Sequence, residues 1–154
     1  MNLNVVINGQ KKSFTIEAGD ILLDVLRREG YKSVKRGCET GECGACTVLI
    51  NKEPMNSCML LAVKVQGKDI VTIEGIGTPE DLHPIQQEYL NYSAAQCGFC
   101  TSGAILSAKA LLDKNQNPTE EDIRKALKGN LCRCTGFVKP VQAIMDAAKV
   151  MNKK

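Results

Sequence analysis

The sequence predicts an α+β chain: a small β-grasp unit of sheet and helix, followed by a unit built from helices alone. Three observations carry this. Up to Glu74 the chain reads as short strand-like segments, among them the alternating residues 12–17, interrupted by one helical stretch. After Pro79 apolar residues recur at helical spacing. Between the two lies Gly75-Ile76-Gly77-Thr78-Pro79, two glycines and a proline around a single apolar residue, the sharpest break in the chain. The expected division is therefore residues 1–76 and 77–154.

Residues 3–8 (LNVVIN) read as a strand, and Asn8-Gly9 is a favoured hairpin pair. Residues 12–17 (KSFTIE) alternate and form the returning strand. Asp20 is placed to cap a helix over 21–29, with Ile21, Leu22, Val25 and Leu26 as its buried stripe and Gly30 as its stop. Residues 36–46 are too rich in glycine for a regular element. Thr47 to Ile50 resume as a strand, Asn51-Lys52-Glu53 turns, and Cys58 follows a short extended piece. Residues 69–74 (DIVTIE) close the sheet. Helices are expected over 80–92, 101–114, 119–128 and 138–151. Thr101 and Thr119 are the expected caps, Thr119 with Asp122 three residues on. Four short helices with apolar faces suggest a small bundle. The tail Asn152-Lys153-Lys154 reads as frayed.

Composition narrows the function. A formal net charge of +3 is too weak to argue for nucleic acid or an anionic membrane. Aromatic residues make up 4% with no Trp, too few for stacking on bases. The first ten residues lack a basic segment followed by an apolar one, and the run from Cys58 to Val63 is far too short to span a bilayer. The expectation is a soluble, cytoplasmic protein. In such a compartment eight cysteines point to metal sites rather than to a disulfide framework.

The cysteines fall into two sets. Cys38-x4-Cys43-x2-Cys46, with Cys58 after eleven intervening residues, has the ligand spacing of plant-type [2Fe–2S] proteins. Cluster sulfurs accept backbone N–H bonds, so a loop around them must approach closely and turn repeatedly. Gly37, Gly41 and Gly44 stand where that is needed, and Lys35 and Arg36 are placed to offset charge. Structural zinc, which favours C-x2-C pairs, is the rival. The second set is Cys97-x2-Cys100 and Cys132-x-Cys134. Its spacing leaves a zinc site of four thiolates open. No βαβ pattern surrounds it, which argues against a thioredoxin-type pair. Cys100 precedes a helix N-terminus, where amides and dipole favour thiolates.

Three segments in this order, CETGECGACTV, QCGFCTSG and GNLCRCTGF, resemble the small iron–sulfur subunit of the molybdenum hydroxylases, the xanthine dehydrogenase, aldehyde oxidoreductase and carbon monoxide dehydrogenase family. The resemblance runs over residues 3–150. It implies a plant-ferredoxin-like domain holding one [2Fe–2S] cluster on Cys38, Cys43, Cys46 and Cys58. It implies a second cluster on Cys97, Cys100, Cys132 and Cys134 in a four-helix bundle. It further implies that Gln96 and Cys134 contact a molybdopterin held by a large partner subunit, and that the N-terminal cluster faces an FAD-binding subunit where one is present. Glu39-Thr40 replaces the Gly-Glu common after the first ligand, Ser102 a common Pro, and Phe137 a common Tyr.

His83, the single histidine, reads as a surface residue at a helix start. Arg133 stands between two ligands, where tuning the site and a plain salt bridge are both open. Tyr89 and Tyr92 read as helix-face packing. No Ser/His/Asp set, phosphate loop or paired carboxylate is visible. The expected role is electron transfer for an oxidoreductase whose substrate chemistry lies on another chain. The alternative is a free-standing two-cluster carrier.

Overall fold

The computed structural model describes residues 1–153. Its first half is a mixed five-stranded sheet in the order β2-β1-β5-β3-β4, formed by β1 (Asn2–Ile7), β2 (Gln10–Thr15), β3 (Thr47–Ile50), β4 (Glu53–Asn56) and β5 (Asp69–Val71). β1 pairs antiparallel with β2 and parallel with β5; β3 is antiparallel to both β4 and β5. Helix α1 (Leu22–Arg28) buries Leu22, Leu23, Val25 and Leu26 with Leu3, Val5 and Ile7, the alternate residues of β1. The parallel pair requires a long crossover, and α1 and the cysteine loop lie within it.

The second half carries α2 (Pro84–Asn91), α3 (Thr101–Lys114), α4 (Glu120–Ala126) and α5 (Val138–Met151). One core collects Ile85 and Tyr89 of α2, Ile105 and Leu112 of α3, Ile123 of α4, and Val141 and Ile144 of α5. Helix α5 keeps the expected limits, and Pro140 falls in its first turn, where a missing N–H costs nothing. Thr119 caps α4 through the Asp122 amide while Asp122 accepts from the Thr119 N–H.

Other ends move from expectation. Asp20 does not cap α1. The cap position is Ile21, without a side-chain bond, and Asp20 instead accepts from the Glu17 N–H and from Arg28. Thr101 is the first residue inside α3, and Cys100 holds the cap position. Helix α2 starts at Pro84 rather than 80, because His83 accepts from the Ile85 N–H through Nδ1 and Gln86 accepts from the His83 N–H. The last strand stops at Val71, and Ile73–Gly75 form a 3-10 turn. In the tail expected to fray, Asn152 donates to Gln116 and Asn117 at 2.7 and 2.9 Å; Lys154 lies outside the described residues.

The halves dock through β3. All four of its residues are buried, as in a strand covered on both faces. Val48 and Ile50 join the first core, and Leu49 meets Leu106 and Ala110 of α3 on the other side. Burying a leucine there contributes roughly 1.5–3 kcal/mol. That contact brings the N-terminus of α3, with Cys100, beside the loop of Cys38 to Cys46.

Candidate functional site

The first thiol loop, residues 37–46, connects α1 to β3 and turns back on itself. The Cys38 Sγ accepts three backbone N–H groups, from Thr40 at 3.4 Å, Glu42 at 3.4 Å and Cys43 at 3.3 Å. The Thr40 side chain and these amides hold the Cys38 thiol down to about 6. This is an anion nest made from main chain. A side chain at Gly37 would begin 2.7 Å from the Cys43 sulfur and would have to displace it. Glu39, at the position of a glycine in the family pattern, sits at φ 58°, at a cost of about 1 kcal/mol. Arg36 is engaged by Asp24 and Glu39 rather than standing free to offset loop charge.

Cys46 and Cys58 are buried at the base of the loop. Ser57 fixes the approach of Cys58 by donating its hydroxyl to the Cys46 carbonyl at 2.8 Å. Burial pushes the Cys58 thiol up to about 11, and the neighbouring Cys46 thiol adds to the rise.

The second set comes from two separate loops. Cys97 and Cys100 lie between α2 and α3; Cys132 and Cys134 lie between α4 and α5. Burial, then the Cys132 thiol, push Cys100 up to about 12. Burial works the same way on Cys132, but the Thr135 hydroxyl at 3.0 Å and the Thr135 and Cys134 amides outweigh it, and the thiol is held below its ordinary value. Gln96 donates from Nε2 to the Cys134 carbonyl at 3.2 Å, and both residues are exposed. The two residues singled out in the sequence for a pterin contact thus stand together.

The two sites abut. The Leu131 N–H, one residue before Cys132, donates to the Cys43 carbonyl at 2.8 Å. Buried Asn130 donates to the Gly44 carbonyl at 3.2 Å. Gly44 has φ +69°, and a side chain on it would begin 2.1 Å from the Gly129 carbonyl oxygen. On α3, Ser102 donates its hydroxyl to the Ser33 carbonyl at 2.9 Å, a bond that the family's proline would lack. Sequence reasoning missed Asn130 and noted Ser102 only as a departure. A buried amide among apolar neighbours leaves no periodic mark.

Among the described residues no three side chains converge tightly enough to hold a single metal ion. The thiols bear on one another's ionisation most strongly in pairs, Cys46 on Cys58 and Cys132 on Cys100. Pairs suit a dinuclear [2Fe–2S] group, which needs two ligands at each of two irons. The raised thiols Cys58 and Cys100 mark places where negative charge is unwelcome until cations arrive. The buried Tyr89 hydroxyl has no hydrogen-bond partner, an omission worth about 1–3 kcal/mol, and it lies within electrostatic reach of Cys100 and Cys132. A cavity of about 620 Å³ is lined by Lys52, Lys109, Asp113 and Met151 among others and has no cysteine in its lining. The chemistry is at the thiol loops.

Fold and site define a two-part iron–sulfur protein, and comparison with known proteins agrees. Residues 5–69 match the 2Fe-2S iron–sulfur cluster binding domain and residues 72–145 the [2Fe-2S] binding domain. The chain is 46% identical to the nicotinate dehydrogenase small FeS subunit of Eubacterium barkeri, covering 97% of this chain and 96% of that one. It is 42% identical to the xanthine dehydrogenase iron–sulfur-binding subunit of Escherichia coli O157:H7, covering 97% and 95%. Its fold matches the aldehyde oxidoreductase from Desulfovibrio gigas with a TM-score of 0.96 at 44% identity, covering 100% of this chain but 18% of that larger one. The chain belongs to the family of small [2Fe–2S] subunits of the molybdenum hydroxylases, the xanthine dehydrogenase and aldehyde oxidoreductase group. It is an electron-transfer subunit of such an oxidoreductase. Among the described residues no helix is long and apolar enough to cross a membrane.

Proposed function

We propose that Cys38, Cys43, Cys46 and Cys58 hold one [2Fe–2S] cluster, and that Cys97, Cys100, Cys132 and Cys134 hold a second. In this reading residues 1–76 are a plant-ferredoxin-like domain and residues 77–154 a four-helix-bundle domain. The chain works between a large molybdopterin-bearing subunit, met at Gln96 and Cys134, and an FAD-binding subunit on the side of the N-terminal cluster. Eight cysteines that serve metal sites rather than disulfides suit a reducing compartment, the cytoplasm.

The observation that carries this reading is the 2.8 Å hydrogen bond from the Leu131 N–H to the Cys43 carbonyl. It joins the backbone beside a proposed ligand of one site to a proposed ligand of the other, so the two sites stand in series. Bound there, the clusters supply one-electron steps that link a two-electron reaction at molybdenum to its acceptor. The protein's own work is positional. Cys38 is set by three amides, Cys46 and Cys58 by Ser57, Cys132 by Thr135, and the two loops by Asn130 and Leu131. Gln96 and Cys134 are exposed and already hydrogen-bonded to each other, as a preformed contact for a partner's cofactor requires.

The test is anaerobic reconstitution of the chain with iron, sulfide and zinc offered together. Iron and sulfide in equal amounts, with two distinct paramagnetic signals on reduction, are expected. A chain that takes up zinc and no sulfide overturns the proposal.

A further inference from the structure

Tyr89 is 3% exposed, and its hydroxyl is the one buried side-chain polar atom among the described residues with no hydrogen-bond partner. Packing alone does not explain it. A phenylalanine would fill the same space, and a buried O–H without an acceptor is a cost that folded chains rarely carry. Its location is specific. Tyr89 lies in the last turn of α2, where its carbonyl accepts the Ala94 N–H at 2.8 Å. From there the chain runs directly into Gln96 and Cys97. The core around Tyr89 includes Ala104 and Ile105 from the first turns of α3, the helix that Cys100 begins. Burial raises the pKa of the phenol, and the Cys100 and Cys132 groups, from opposite loops, add to the rise. The orphan donor therefore lies in a core that backs onto both loops, where an acceptor can arrive with the prosthetic group.

We infer that the Tyr89 hydroxyl donates a hydrogen bond to a sulfur of the cluster held by Cys97, Cys100, Cys132 and Cys134, and so raises that cluster's reduction potential. The inference rests on the ligand set proposed above. The physical reason for the sign is direct. Reduction adds negative charge, which spreads onto the sulfurs, and a donor aimed at a sulfur stabilises the reduced form more than the oxidised one. The loops' own side chains already have partners: Thr135 is engaged by Cys132 and by the Phe137 N–H, and Gln96 by the Cys134 carbonyl.

A donor-strength series tests this. Tyr31→Phe with Tyr92→Phe leaves Tyr89 as the single tyrosine. Into that background Tyr89→Phe removes the hydroxyl, and biosynthetic 3-fluorotyrosine makes it a stronger donor at nearly the same size. Redox titration of the full chain, followed by its two paramagnetic signals, is the readout. The expected order of potential for the C-terminal cluster is Phe below Tyr below fluorotyrosine, with about a tenfold change in the reduction equilibrium on losing the hydroxyl, or 59 mV for one electron. The N-terminal signal stays in place. A C-terminal potential that is unchanged, or that moves the same way in both arms, overturns the inference. If the phenylalanine chain fails to hold the cluster, the fluorotyrosine arm decides alone. If the unsubstituted chain shows no second [2Fe–2S] signal, the ligand proposal itself is at fault, and the two failures are thereby told apart.

Discussion

The two thiol sites are built in opposite ways. The first takes three of its four cysteines from one ten-residue loop and surrounds Cys38 with main-chain donors. The second joins two loops separated by two helices and sets its Cys132 thiol with a side chain, the Thr135 hydroxyl, as well as with the Thr135 and Cys134 amides. A site made from main chain is set by where glycine allows the backbone to go. A site made from side chains can be retuned one residue at a time. This suits their proposed stations: the first site sits in a scaffold with little freedom, and the second faces a partner cofactor to which its potential must be matched.

The largest expected effect comes from destroying the place where the two modes meet. Gly44→Ala puts a methyl group 2.1 Å from the Gly129 carbonyl and a side chain at φ +69°. Loss of about 3 kcal/mol or more is expected in denaturant unfolding, with separation of the two loops read as loss of magnetic interaction between the reduced clusters. An alanine chain with native stability and native coupling would remove the joint from the account.

Gln96→Ala sharpens the comparison from the other end. The residue is exposed, and its bond to the Cys134 carbonyl is on the surface. Both clusters and the stability should survive, while reduction by substrate in the assembled enzyme slows about ten- to a hundredfold through lost positioning. Stopped-flow reduction measures it, and unchanged kinetics would withdraw Gln96 from the pterin contact.

The smallest effect tests the main-chain nest in the metal-free chain. Cys38 is lowered to about 6 and Cys58 raised to about 11. A lowered thiol is anionic above its own pKa and loses that form as pH falls through it. Cys38 should therefore alkylate fast at pH 7 and slow markedly below about pH 6, whereas Cys58 responds only in strong alkali. At pH 7 the thiolate fractions differ by about four orders of magnitude. The lower basicity of Cys38 takes back part of this, leaving a preference of roughly fiftyfold. Peptide mapping after brief treatment with iodoacetamide checks it, and equal labelling of the two would discount the nest.

How much of this was legible before the fold depends on sequence distance. The cysteine spacing from Cys38 to Cys46, the Thr119 cap and the whole of α5 are local facts, set by turns, hydrogen bonds and periodicity within a few residues. Asp20 does not cap α1 because the Leu22 N–H that opens the helix is taken by the Leu60 carbonyl, a partner nearly forty residues away. The shift at α2 is local, but a histidine cap stands outside the usual set of capping residues.

By itself the sequence determined the alternation and break that separate sheet from helices, and the two sets of thiols with their glycines. It also carried the three segments that mark the family. Only the tertiary structure decided that Leu131 and Asn130 lock the chain beside Cys132 to the first loop, that Gln96 reaches Cys134, and that the Tyr89 hydroxyl is buried without a partner. The reason is the range of the interactions. Backbone preference and apolar period act over a turn or two and leave a trace in composition. A contact such as that of Asn130 with Gly44, 86 residues apart, depends on Leu49 and Leu106 burying each other across β3 and α3, and no local pattern records it.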